Sequence, residues 1–305
     1  MLLPGLEAPT APQIVNVASV PQRSPFRYPG GKTWLIPRIR DWLVSLPKRP
    51  ALFVEPFAGG GIVALTVAME QLAGEVLMVE LDSRVAAVWR TIITGDAEWL
   101  AEKIETFVFT PDSVLDLLNT KPLTDRELAF QTILRNRVSH GGIMAPGAGI
   151  IKTGESGKGL GSRWYPQTLS RRIRRIAHIR DRIRFIEGDG LEIMQQEHAR
   201  SDAVFFIDPP YSAPGKRAGS RLYTHFQVDH RKLFDQAARL KGDFLMTYDN
   251  TASIRRLAEE FAFDLQAIAM KNTHHAEMTE LLIGKDLRWA RETPLQARAY
   301  QAVAA

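Results

Sequence analysis

The stretch of this sequence best equipped for chemistry is Asp208-Pro209-Pro210-Tyr211, which follows the apolar run Phe205-Phe206-Ile207. An apolar strand that runs into an acid and two prolines is stopped at its carboxyl edge. Proline cannot donate to a sheet ladder, and it pushes the residue before it into extended conformations. Asp208 is therefore expected at the mouth of an α/β sheet, where ligands of open parallel sheets bind. The two prolines stiffen the loop and leave main-chain carbonyls without ladder partners. A carboxylate, free carbonyls and the aromatic face of Tyr211 suit a planar group bearing an amino substituent, hydrogen-bonded at its edge and stacked on the ring. A strand-end turn without chemistry is the competing reading of these four residues taken alone.

A second constellation lies upstream. The strand-like run Ala51 to Glu55 leads into Pro56-Phe57-Ala58-Gly59-Gly60-Gly61 and then an apolar helix, Ile62 to Gln71. Glycines permit close approach of a ligand to the backbone and supply the dihedral angles of a tight turn. The pattern is neither the dinucleotide G-x-G-x-x-G nor a P-loop, since no Lys-Ser/Thr follows Gly61. A second strand, Glu75 to Val79, ends at Glu80, with Asp82 close behind. An acid there, about 20 residues past the glycine turn, is placed to accept from ribose hydroxyls. Glu55, at the tip of the first strand, suits a cationic ligand centre. Further upstream, Tyr28, Gly30, Gly31 and Lys32 precede an amphipathic helix, Trp34 to Leu46. A Gly-Gly turn at a helix start can bring N–H groups and a lysine against an anion.

These residues need a sheet to position them, and the remaining pattern supplies one. Short strands are expected at Ile183 to Ile186, Asp243 to Thr247, Phe263 to Met270 and Glu280 to Ile283. Helices are expected at Leu191 to His198, Asp229 to Leu240 and Ser253 to Phe261. The fold class is α/β, an alternating Rossmann-like sheet with a mostly helical insertion. Residues 1–24 hold four prolines and no sustained periodicity, and read as a disordered leader. The catalytic sheet takes 25–95 and 183–290, the insertion 96–182, and a tail 291–305.

In the insertion the alternation stops. Asp96 to Asn119, Asp125 to Arg137 and Gln167 to Arg184 read as helices, around a glycine-rich basic loop from Ser139 to Pro166. The last helix carries seven arginines, which either contact phosphates or solvate its polar face. A loop-rich basic insertion is a candidate recognition region.

The 305-residue chain is 45% hydrophobic and 24% charged, values of a soluble globular protein. It has no cysteine, which excludes disulfides, thiolate catalysis and Cys-ligated zinc. No apolar run approaches a membrane span and the start lacks a signal-peptide pattern, so no membrane partner is expected and the cytoplasm is the default. The net charge of +5 is compatible with a polyanionic partner.

Taken together, the motif from Pro25 to Lys32, the glycine motif from Phe53 to Gly61 and Asp208-Pro209-Pro210-Tyr211 resemble those of the Dam-type DNA N6-adenine methyltransferases. Weaker echoes are Leu222-Tyr223 to Leu233, Phe244 to Asn250 and Thr279 to Ile283, so the resemblance runs from about Pro25 to Lys285. It implies the Rossmann-like methyltransferase sheet, S-adenosylmethionine as cofactor, no metal and double-stranded DNA as partner; the sequence leaves the oligomeric state open, monomer or weak dimer. It also implies roles. Tyr28 and Lys32 would contact the cofactor, the lysine at its carboxylate. Glu55, Pro56, Phe57 and the turn Ala58, Gly59, Gly60 and Gly61 would hold the methionine part, Glu80 the ribose, and Asp189 the adenine edge. Asp208, Pro209, Pro210 and Tyr211 would act on the target base and border the cofactor. The recognition segment has no residue match to the family, so base contacts do not transfer with the resemblance; if the basic region faces the duplex, Arg135 and Arg137 are the candidates for base edges, and Lys216, Arg217 and Arg221 for phosphates. Family members often place an aromatic residue after the acid at 189, and here it is Gly190. Amino-cytosine methylation, RNA methylation and a catalytically silent relative are the alternatives; Asp at 208, rather than Ser or Asn, favours adenine in DNA.

Overall fold

The structure, a computed structural model, describes residues 19–28, 30–145, 147–154, 157, 159–210, 228–271 and 277–292. Seven strands form one sheet in the order β3-β2-β1-β4-β5-β7-β6. They are β1 (Leu52–Glu55), β2 (Glu75–Glu80), β3 (Ile183–Glu187), β4 (Ala203–Ile207), β5 (Asp243–Asp249), β6 (Asp264–Lys271) and β7 (Glu277–Gly284). The first five run parallel, and β7 lies antiparallel between β5 and β6. From β1 the chain steps outward through β2 to β3. It then returns to place β4 against the other side of β1. That reversal makes the carboxyl ends of β1 and β4 the crevice of the sheet, the usual ligand site of such folds.

Alternation along the strands divides the apolar side chains between two layers. Phe53, Met78, Phe206, Leu245 and Leu282 pack into one core with helices α1 (Ile36–Ser45), α2 (Ile62–Met69) and α3 (Ser83–Thr94). Val54, Leu77, Phe205, Met246 and Leu281 face the opposite layer, built by α8 (Gly190–Glu197), α9 (His230–Arg239) and α10 (Ala252–Glu260). Helix α2 is buried on every side from Ile62 to Ala68, as a helix apolar all round must be. A short helix, α11 (Arg288–Glu292), follows the last strand.

Four features depart from the sequence expectations. Residues 83–94, between the second strand and the insertion, had no assigned element; they form α3, N-capped by the Asp82 side chain. The helical stretch 96–119 is two helices, α4 (Ala97–Thr106) and α5 (Pro111–Asn119), because Thr110 makes a capping box with Ser113 and Pro111 starts a new first turn. The arginine-rich helix does not run to Arg184. It ends as α7 (Pro166–His178), and after a 3-10 turn Ile183 pairs with Val76 in the sheet. The leader is ordered at its end: Val20 and Ser24 are buried and the Arg23 guanidinium pairs with Glu70. Its residues 1–18 lie outside the described ones.

The insertion consists of α4, α5, α6 (Asp125–Val138) and α7. Leu100, Ile104, Phe130, Ile133, Ile173 and Ile176 join the same apolar cluster as Phe53 and Met78. Among the described residues, a separate small cluster forms around Val114, Leu134 and Val138. Among the described residues no helix is long and apolar enough to cross a membrane.

Candidate active site at the carboxyl edge of the sheet

The period of two that sorts the core also sorts the acids. Glu55 shares the side of Phe53, Glu80 that of Met78, and Glu280 that of Leu282; Asp208 continues the side of Phe206. All four carboxylates therefore lie at the layer that carries α1 and α2: Glu80, Glu55 and Asp208 at the ends of the adjacent strands β2, β1 and β4, and Glu280 on β7, beyond β5.

Glu55 is 4% exposed, and its Oε2 accepts the Ala64 N–H at 2.8 Å. It thus caps the first turn of α2, whose N-cap residue Gly61 has no side chain to do so. Burial pushes its carboxyl well above the usual carboxylate range, against the Ala64 bond, with repulsion from Asp208 and Glu80 adding to the rise.

Glu80 supports the glycine turn. Its Oε2 accepts from Gly59 N and its Oε1 from Asp82 N, each at 2.8 Å. A carboxylate accepts about four hydrogen bonds, so acceptor capacity remains for a ligand hydroxyl. Burial raises its pKa to about 7, partly offset by those N–H groups. Asp82 is committed elsewhere, capping α3 and holding the Arg84 guanidinium.

The turn itself is closed from above by Tyr28. A Cβ at Gly59 would lie 2.6 Å from the Tyr28 ring, and one at Gly60 2.8 Å from Tyr28 Cβ. Gly61 adopts φ +63°, and a Cβ there would meet Met78 at 2.6 Å. Trp89 Nε1 donates to the Gly59 carbonyl at 2.9 Å, fixing the turn from below. Pro56 and Ala58 are buried beneath it and Phe57 is half-buried.

Asp189, half-buried, caps α8 by accepting the Leu191 N–H at 2.8 Å. The absence of an aromatic residue after it has a steric cause. A Cβ on Gly190 would sit 2.2 Å from the Pro56 carbonyl oxygen, because α8 starts against the turn that leaves β1. Leu81, 47% exposed directly after Glu80, is an apolar surface that the sequence reading did not single out. Its signal was its place next to that acid.

Lys32 is 4% exposed, and its Nζ lies 3.1 Å from Asp208 Oδ1 and 3.7 Å from Glu280 Oε2. The lysine expected at a cofactor carboxylate is thus held by carboxylates of the protein. Pro209 is buried and Pro210 half-buried. Tyr211, Lys216, Arg217 and Arg221 lie outside the described residues.

The two arginines expected at base edges sit differently. Arg135 is half-buried near the end of α6. Arg137 is 5% exposed, and its guanidinium donates to the Pro25 carbonyl. Burial, with repulsion from Arg172, Arg27 and Arg163, lowers its pKa to about 9. An arginine enclosed in this way is an internal strut. Arg172 likewise donates to the Ser24 carbonyl at 2.9 Å, and Arg174 pairs with Glu98 and Glu105.

The family profile of the D12 class N6 adenine-specific DNA methyltransferases matches residues 28–273, which span every strand from β1 to β6 and the whole constellation except Glu280. The chain belongs to this family. This methyltransferase is an enzyme that transfers a methyl group from S-adenosylmethionine to the N6 amino group of adenine in DNA. No curated protein matches it. Among solved structures it is similar to a putative RNA methyltransferase from Pyrococcus horikoshii, at 11% identity and TM-score 0.37, covering 85% of this chain and 84% of that one. It is also similar to an rRNA methyltransferase from Streptomyces viridochromogenes, at 13% identity and TM-score 0.36, covering 83% and 82%. A precorrin-6y C5,15-methyltransferase from Geobacter metallireducens matches at 8% identity and TM-score 0.34, covering 82% and 86%.

Proposed function

We propose that the crevice between β1 and β4 holds both reactants, with S-adenosylmethionine along the Gly59–Gly61 turn and the flipped adenine against Asp208-Pro209-Pro210-Tyr211. The observation that carries this reading is the convergence of Glu55, Glu80 and Asp208 on one face beside a turn that only glycines can form.

The donor set fits the cofactor. Glu80 keeps acceptor capacity for a ribose hydroxyl, and Asp189 borders the expected adenine position. Leu81 offers that adenine an apolar face in place of the aromatic ring that Gly190 cannot supply. Glu55, next to the turn, faces the methionine end. The bound cofactor supplies a methyl group activated on a positively charged sulfur, so the protein need not activate it.

The protein's work is on the acceptor. The exocyclic nitrogen of adenine is a weak nucleophile because its lone pair is delocalised into the ring. In a duplex it is also paired, so the base is taken out of the stack. Tyr211 stacks on the base, Asp208 accepts one N–H and the Pro209 carbonyl the other. Two fixed acceptors favour a pyramidal nitrogen whose lone pair points at the methyl group. Positive charge builds on that nitrogen as the new bond forms. The carboxylate and carbonyl therefore stabilise the transition state more than the ground state. The surplus proton leaves for water once the methyl group is in place.

The substrate is double-stranded DNA, contacted by the insertion, Arg135 included, and by Lys216, Arg217 and Arg221. The enzyme acts as a monomer or weak dimer in the cytoplasm. The test is Asp208→Ala. Methyl transfer to unmodified genomic DNA should be lost while S-adenosylhomocysteine binds within a few-fold of wild type. Transfer near the wild-type rate would remove Asp208 from the mechanism. Sequencing DNA from expressing cells, with N6-methyladenines mapped, gives the recognition site.

A further inference from the structure

Thr247 lies in β5 with its side chain at the crevice face, and it is 0% exposed. Its neighbours in the strand, Phe244, Leu245 and Met246, are apolar and equally buried. Valine would match it in shape and in strand preference, and would avoid burying a hydroxyl. Desolvating a hydroxyl costs roughly 1–3 kcal/mol in proteins unless it is hydrogen-bonded. The register explains what it pairs with. Ile207 of β4 is opposite Met246 of β5, so the next residue of each strand brings Asp208 beside Thr247. Thr247 Oγ1 donates to Asp208 Oδ1 at 2.7 Å. Lys32 Nζ reaches the same oxygen at 3.1 Å and is itself flanked by Glu280 of β7.

Two donors thus converge on one oxygen of the carboxylate from two different directions. The torsion that turns an aspartate carboxyl is broad and roughly two-fold, so packing alone fixes it poorly. A hydroxyl on a fully buried β-branched residue is a rigid donor, since its rotamer is set by the strand.

We propose that Thr247 is a positioning residue for Asp208: it holds Oδ1 and so commits Oδ2 to the amino group of the target adenine. Lys32 shares the hold on Oδ1, and Glu280 keeps Lys32 in place from the far side. Because the second acceptor, the Pro209 carbonyl, is fixed by the backbone, a carboxylate free to turn would spoil the two-point grip on the nitrogen. The inference rests on the assignment of the target amine to Asp208.

The test compares Thr247→Val, Thr247→Ser and wild type, with tritiated S-adenosylmethionine and adenine-unmethylated genomic DNA. Thr247→Val keeps the shape and removes the donor. It should lower kcat by about 10- to 100-fold, the range for a catalytic group displaced by about an ångström. Binding of S-adenosylhomocysteine should stay within about threefold of wild type, because the Thr247 hydroxyl is engaged with Asp208 and the proposed cofactor site lies along the Gly59–Gly61 turn. Thr247→Ser should restore kcat to within about threefold, because the hydroxyl returns without the methyl group. A valine variant with wild-type kcat overturns the proposal. So does a serine variant as impaired as valine, which would assign the effect to packing. If the valine variant does not fold, Thr247→Ala takes its place with the same expectations. Asp208→Ala separates the underlying assignment: turnover retained there would refute the role of Asp208 itself, whatever Thr247 does.

Discussion

Asn136 of α6 pairs with both main-chain polar groups of Arg27: its Oδ1 accepts the Arg27 N–H at 2.9 Å and its Nδ2 donates to the Arg27 carbonyl at 2.8 Å. The same Nδ2 reaches the Gly142 carbonyl at 2.8 Å, and the side chain is completely buried. With Arg137 on Pro25 and Arg172 on Ser24, the insertion grips the main chain of the segment that carries Tyr28 onto the glycine turn. Asn136→Ala should destabilise the fold by about 2–4 kcal/mol, since it strands buried peptide groups. Urea unfolding should show a lower midpoint with an unchanged slope.

With Glu80 as the proposed ribose acceptor, cofactor binding should depend on pH. Its pKa is raised to about 7 by burial, so a proton occupies the carboxylate below neutrality. A protonated carboxyl accepts ribose hydroxyls poorly. Affinity for S-adenosylhomocysteine should therefore rise with pH up to about 7 and level off above it, by as much as about tenfold per unit on the acidic side. Glu80→Gln should bind more weakly and flatten the profile in calorimetry. The stability linkage runs the other way. The folded protein keeps this proton after the unfolded chain has lost it, so this contribution to stability falls as pH rises from 4.5 to about 7.

Gly190 cannot be converted into the missing stacking platform. Its added Cβ would collide with the Pro56 carbonyl oxygen at 2.2 Å, a main-chain atom that cannot swing aside. Gly190→Ala should lower the melting temperature, at a cost of about 1–3 kcal/mol, and should not tighten cofactor binding. A stable variant with improved affinity would show that the start of α8 can move away from β1.

Arg137→Ala should behave as a core mutation. It removes the donor to Pro25 and leaves a space beside α6, at a cost of about 1–3 kcal/mol. The mapped sequence context of methylation should stay as in wild type. A changed context would return Arg137 to the base edges.

The parts of the site that were readable in the sequence are those carried by contiguous motifs. Apolar runs ended by Glu55, Glu80 and Asp208 mark strand tips, and the glycine turn marks what lies between them. The partners of these acids were not readable. Thr247 and Glu280 sit in strands whose composition is ordinary, and β7 enters the sheet antiparallel, so their proximity to Asp208 arises only from sheet order. Lys32 looked like an anion ligand, because its two carboxylates lie more than a hundred residues away. The α7 arginines show a similar limit. Their spacing gives a polar face, but not that Arg172 turns inward to a carbonyl while Arg174 binds Glu98 and Glu105 across the surface.

The shared core has a consequence for how new specificities can arise in this enzyme. Leu100, Ile104, Phe130, Ile133, Ile173 and Ile176 are embedded among the side chains that also pack the sheet. Cutting out 96–182 and grafting in the corresponding piece of a relative would open the central layer and unseat the segment that holds Tyr28. With the insertion as the proposed DNA-reading part, a change of target sequence in this chain is expected from substitution at exposed positions between α6 and α7, such as His140 or Lys152, one residue at a time, and not from exchange of a detachable cassette.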